Sequence, residues 1–336
     1  PPFIADMQPQ GYLGAAFARW HSDLALPARL QDWNDDHRLI ALARRGEDAL
    51  GNLVIGDESL QRLWHERQLG FEPVADDSYP ELARHVAQRP AGSSVGGEAP
   101  KFVAFSETRN AHVLVKFTSG SGDEADQRWR DLLAAEAIAL ETLADHACEV
   151  PLTRVFDQGN RRFLELERYD RRATYGRIGV LSMAALDAEY VGIGSDWSRV
   201  AVELAEQGLI DEDDMGRIQW LDVFGDLIGN TDRHLGNISF YANSPEMPTA
   251  GLSLAPVYDM LPMTFAPAEG RTRPAEFAPR APAADALGLW FNAAEAATDY
   301  WARVTAAGLI SPAFRDIAAG AGETLEQLKA RIRPDA

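Results

Sequence analysis

The chain has 336 residues, a formal net charge of −19 and one cysteine, Cys148. That cysteine count excludes an internal disulfide or a cysteine zinc cage and suits a reducing, cytoplasmic setting, while no apolar run reaches the eighteen residues of a membrane span. So acidic a chain is not expected to wrap nucleic acid unaided, because phosphate neutralisation needs clustered Lys and Arg, and any DNA contact would come through a partner.

The length suggests about two or three units. The opening Pro1-Pro2 has neither the basic flank nor the apolar stretch of a secretory signal. Residues 1–69 read as a helical subdomain: Tyr12, Leu13, Phe17 and Trp20 lie at helical spacing, and Leu39, Ile40 and Leu42 recur before the break at Arg45-Gly46. His21, His37 and His65 have no partner at ligand spacing and read as ordinary histidines.

A small lobe is expected over residues 70–170. Residues 71–89 are acidic and broken by Pro73 and Pro80, and SSVGGEAPK at 93–101 then runs into a strand at 102–105. Glycines there allow backbone N–H groups close to phosphate oxygens, although structural turns far outnumber phosphate loops. Residues 111–118 form a second strand with Val113, Val115 and Phe117 on one face and Lys116 on the other. In the helix that follows, over 126–147, Trp129, Leu132, Leu133, Leu140 and Leu143 draw an apolar stripe with Glu136 inside it. A carboxylate facing a core needs a partner. In phosphoryl-transfer enzymes a strand lysine that grips the α- and β-phosphates is held by a helix glutamate, so Lys116 is matched to Glu136, with Glu141 as the alternative. Strands at 152–156 and 162–167 follow, and residues 164–170 read as the lobe connection.

Residues 171–336 read as a large, mostly helical lobe. Helices over 198–207 and 211–228 precede GNTDRHLGN at 229–237, and PVYDM at 256–260 answers it downstream. Asp232 and Asn237 stand five residues apart in a turn before a strand at 238–241, and a strand over 253–259 delivers Asp259. Magnesium-dependent phosphoryl transfer needs a carboxylate to orient the attacking hydroxyl, an oxygen ligand for the metal beside it, and a second metal-holding carboxylate, the roles of Asp232, Asn237 and Asp259 in turn. Either Asx residue alone reads as a turn cap, and Asp232 with His234 lacks the third ligand of a metallohydrolase. Arg233 is left without an assigned role. Residues 264–282 read as a surface loop, and helices over 292–307 and 311–332 close the chain.

These motifs, with PPFIADMQPQGYLG and DALGNLVIG nearer the start, resemble the HipA-like serine/threonine kinases of bacterial toxin–antitoxin modules. The resemblance implies an α+β, two-lobed protein-kinase-like fold carrying an amino-terminal helical subdomain and a mostly helical carboxyl-terminal lobe. It implies ATP and Mg²⁺, with Ser94, Val95, Gly96 and Gly97 at the phosphates, Glu167 and Tyr169 at the base, Asp170 near the ribose, and His234 among the nucleotide-binding residues, where its own reading is a brace that holds the loop by hydrogen bonding. Ser94 matches the serine that the family phosphorylates on itself. The expected partners are a protein with a Ser or Thr acceptor, such as an aminoacyl-tRNA synthetase or another translation factor, and a small DNA-binding antitoxin. Asn230, where ordinary kinases have histidine, and Tyr-Asp-Met in place of Asp-Phe-Gly are departures that HipA-like enzymes share. The rival readings are a kinase acting on a lipid or small molecule, and a catalytically silent kinase-like binding protein.

Overall fold

The computed structural model describes residues 3–87, 99–242, 251–283 and 286–332. Ser94, Val95, Gly96 and Gly97 lie outside the described residues. The chain opens with helices α1 (Phe3–Met7), α2 (Gly11–Trp20), α3 (Asp35–Arg45) and α4 (Asp57–Leu69). α3 starts where Asn34 accepts the His37 amide at 3.0 Å, with Asp35 and Asp36 in the first turn to suit the helix dipole. A further helix, α5 (Tyr79–Ala87), stands where the prolines suggested a break. Pro80 falls in its first turn, where a missing N–H is tolerated.

A four-stranded antiparallel sheet follows, built from β1 (Lys101–Ser106), β2 (Ala111–Phe117), β3 (Thr153–Gln158) and β4 (Arg161–Glu167) in the order β1-β2-β4-β3. Strand alternation sends Val113, Val115 and Phe117 to one face, where with Phe102 and Phe163 they pack on Tyr12, Tyr79, Ala83 and Val86 from the amino-terminal helices. The opposite face meets α6 (Glu124–Asp145), whose Leu132, Leu133 and Leu140 share a core with Leu164 and Leu166. α6 is capped by Asp123, which accepts the Asp126 amide at 2.8 Å.

Beyond β4 come the hairpin β5 (Arg171–Arg172) and β6 (Gly176–Arg177), then a three-stranded sheet, β7 (Gly179–Ser182), β8 (Ser239–Ala242) and β9 (Ser253–Leu254). The segment read as a strand over 253–259 is in the ladder only at β9. Its continuation is pinned singly, Ala255 N–H to the Ser239 carbonyl and Val257 N–H to the Glu149 carbonyl, both at 2.8 Å. Helices α7 (Met183–Leu186), α8 (Trp197–Glu206), α9 (Glu212–Leu227), α10 (Leu287–Ala306) and α11 (Pro312–Ile332) complete the larger lobe around Leu221, Phe224, Tyr300, Trp301 and Phe314. Among the described residues no helix is long and apolar enough to cross a membrane.

The amino-terminal part is fastened to the lobe connection by arginines. Arg168 and Arg171 each reach Asp48 at 2.7 Å, and Arg177 donates to the carbonyls of Glu47, Ala49 and Gly51.

Candidate active site

β2 lies between β1 and β4, so Lys116 is no edge residue. It is buried, and Nζ donates to the two oxygens of Glu136 at 2.5 and 2.7 Å and also to Oδ1 of Asp259. Glu141 is exposed. One lysine thus serves two carboxylates. Burial pushes Glu136, which is 0% exposed, above the usual carboxylate range against the pull of Lys116. At Asp259 burial acts the same way, but Lys116 and then Lys101 outweigh it and draw the group down to about 2. Burial opposes the charge on Lys116 as well, yet Asp259 and Glu136 together raise it and keep it an ammonium.

Lys101 went unassigned in the sequence. It is the register partner of Lys116, and directly opposed strand residues project to one face, so two lysines stand over the same two acids. Like charges placed so are unfavourable without counter-charge, which Glu136 and Asp259 supply.

The loop after α9 is assembled through Asn230, another residue given no role in advance. Wholly buried, it accepts the Asp232 amide at 3.0 Å through Oδ1 and donates to the Asp259 carbonyl at 3.2 Å through Nδ2. Asn237 donates to the Asp232 carbonyl at 2.8 Å. Glu136, Lys116, Asp259, Asn230, Asp232 and Asn237 therefore form one connected set. Arg233 locks the loop to α9, reaching Asp222 at 3.0 Å, Asp226 at 3.3 Å and the Asn230 carbonyl. Gly225 makes room for it, since a Cβ there would stand 2.6 Å from Arg233 Cδ. The His234 ring accepts the Gly236 amide at 3.1 Å and its carbonyl takes Trp197 Nε1 at 2.9 Å, so the residue closes the turn on itself. Asp259 holds φ at +52°, a left-handed backbone uncommon outside glycine and tolerated by Asp and Asn.

A hydroxyl network backs the same loop. Tyr258 OH donates to the Gly236 carbonyl at 2.7 Å and lies 2.9 Å from Ser239 Oγ, and Tyr169 OH donates to Ser239 Oγ at 3.3 Å. Burial, against the pull of the Ser239 and Tyr169 hydrogen bonds, pushes the Tyr258 phenol up to about 12, so it remains a donor.

The lobe connection is bonded largely to the protein itself. The Glu167 and Arg168 amides are taken by the carbonyls of Leu152 and His112, both at 2.9 Å, and the Tyr169 side chain is committed to Ser239. Asp170, expected near the ribose, is held by groups of the protein itself. It is buried, ion-paired to Arg168 at 3.0 Å and Arg171 at 2.5 Å, and accepts the Gly51 amide at 3.0 Å. Burial raises its pKa, but the two arginines win and lower it overall. Asp170→Ala is expected to cost about 3 kcal/mol, the low end for breaking a buried ion pair because Asp48 still serves both arginines. The accompanying test is nucleotide affinity at a temperature where the variant is folded, which should be unchanged; a specific loss there would support the ribose role.

Magnesium commonly takes one or two protein oxygens plus phosphate and water, and the ionised Asp259 with the Asn237 amide is such a donor set. Among the described residues no group of three or more His, Cys, Asp or Glu converges as a metal cage.

Comparison with known proteins gives the lineage. A family model described as "HipA-like C-terminal domain" matches residues 93–332, and one described as "YjjJ-like toxin, middle domain" matches residues 1–64. Toxin YjjJ of Escherichia coli (strain K12) is 35% identical over 344 residues, spanning 99% of this chain and 76% of that protein. HipA of Shewanella oneidensis MR-1, solved with HipB and operator DNA, superposes with a TM-score of 0.56 at 15% identity over 98% of this chain and 84% of its own. The likeness in fold supports the two-lobed, kinase-like α+β architecture described above. A carboxyl-terminal model covering most of the chain, and a relative at that identity over nearly all of it, place the chain in the HipA-like toxin family.

Proposed function

We propose that the chain is a kinase that moves the γ-phosphoryl group of ATP, with Mg²⁺, to a serine or threonine hydroxyl of a protein. The observation that carries this reading is the single bonded set in which Lys116 joins Glu136 to Asp259 while Asn230 joins Asp259 to Asp232.

In this mechanism the ammonium of Lys116, freed in part from Asp259, grips phosphate oxygens, and Lys101 adds a second positive charge on the same face. Asp232 orients the acceptor hydroxyl and takes its proton as the new O–P bond forms and the bond from the γ-phosphorus to the bridging oxygen breaks, with ADP leaving on that oxygen. Asn237 and Asp259 would hold the metal, which would neutralise charge on the phosphate oxygens. Little covalent work falls to the protein, so positioning and charge carry the rate.

Ser94 is the proposed site of self-modification, a translation factor such as an aminoacyl-tRNA synthetase the proposed substrate, and a small DNA-binding antitoxin the proposed restraint, in the cytoplasm. The Shewanella oneidensis protein was solved with HipB and its operator DNA, which supports looking for such a partner here. Incubation with γ-labelled ATP and Mg²⁺ tests the reading. Label should enter the chain at Ser94 and be lost in Asp232→Ala and in chelator. Label entering a lipid or small molecule but no protein would overturn the protein-kinase assignment.

A further inference from the structure

We infer that Tyr258 is a positioning residue that sets Asn237 and Asp259 relative to one another through a one-way hydrogen-bond chain starting at the lobe connection. The inference rests on the metal-holding roles proposed above for those two residues.

The direction of the chain follows from donor counting. A carbonyl can only accept, so the one proton of Tyr258 goes to Gly236 O, 2.7 Å away. Ser239 must then donate to Tyr258 Oη across 2.9 Å, and with its proton spent it accepts from Tyr169 at 3.3 Å. The run is Tyr169 to Ser239 to Tyr258 to Gly236, each hydroxyl polarising the next.

Its ends explain its use. Gly236 immediately precedes Asn237 and Tyr258 immediately precedes Asp259, so one phenol ties together the peptides that aim both metal-holding side chains. Neither shares a strand ladder with the other at that point: Asn237 sits in a short turn over Leu235–Asn237, and the paired residues of β9 end at Leu254. At the other end, the Tyr169 and Tyr258 rings stack at 5.4 Å between centroids and 16° between planes, and Tyr241 OH donates to the Tyr169 carbonyl at 3.3 Å. A displacement of the lobe connection is therefore passed, by a stacked ring pair and three hydroxyls, to the carbonyl beside Asn237.

Tyr258→Phe removes the proton and keeps the ring, so the stack survives while the tie to Gly236 is lost. The chain is titrated with MgCl₂ at fixed ATP, following phosphoryl transfer and nucleotide binding, with thermal midpoints alongside. Tyr258→Phe is expected to raise the half-saturating Mg²⁺ concentration about tenfold, the size of one buried hydrogen bond, with ATP binding in chelator unchanged. Tyr169→Phe should shift it in the same direction by less, because Ser239 still donates to Tyr258. Unchanged Mg²⁺ dependence in Tyr258→Phe, whether or not its midpoint falls, overturns the positioning role. A wild-type chain with no Mg²⁺-dependent nucleotide binding overturns the kinase reading and this inference together.

Discussion

Asp232→Ala is expected to lower phosphoryl transfer by about 10²–10⁴-fold, the range for losing a positioned acid or base, while leaving Mg·ATP affinity near that of the wild type. The two findings separate because the loop does not hang on this carboxylate. Asn230 binds the Asp232 amide and Asn237 binds its carbonyl, bonds that alanine keeps. Asp232 is also exposed, so its truncation carries little packing loss and stability should stay within about 0.5 kcal/mol. Single-turnover transfer with equilibrium nucleotide binding on the same preparation reads both quantities. Retained transfer would remove Asp232 from the chemistry; lost transfer with equally lost binding would make it a structural residue.

Lys116→Met should be the most destabilising single change at the site. It strands the wholly buried Glu136 beside the part-exposed Asp259 without the ammonium that pairs them, at a cost of about 3 kcal/mol near neutral pH, the low end for breaking a buried pair. The thermal midpoint should fall by roughly 10 °C. Glu136→Gln should be milder, because Lys116 keeps Asp259.

The sign of the pH effect checks the cause. In the wild type Asp259 is depressed from 3.8 to about 2, so its contribution is present above the unfolded value and lost as pH falls through that window. Without the lysine, burial and mutual repulsion raise both carboxylates. The folded variant then holds protons that the unfolded chain releases, and its stability declines as pH rises through the carboxylate range. The gap between variant and wild type should thus widen from acid to neutral pH in denaturant titrations. A gap independent of pH would mean that lost packing, not stranded charge, is responsible.

The pairing of Lys116 with Glu136 was legible because both residues broke a local rule: a carboxylate inside an apolar helix stripe and a lysine in a strand demand each other. Asp232, Asn237 and Asp259 stood out by residue type and spacing. The ion pairs of Asp170 were not legible, because its partners include residues far off in sequence, with Gly51 lying 119 positions upstream. β7 escaped for a similar reason, being four residues long and paired with β8, where Ser182 meets Ser239. α5 was missed because Pro80 was read as a breaker although it occupies a helix's first turn. Asn230 and Lys101 carried no local conflict, so only the folded arrangement gives them work.

The left-handed backbone at Asp259 governs which replacements there are informative. Asparagine fits that conformation and subtracts only the negative charge, whereas alanine also adds backbone strain of about 1 kcal/mol and a β-branched residue more. An inactive alanine protein would confuse shape with electrostatics, so Asp259→Asn is the substitution whose phenotype can be assigned to the missing anion alone.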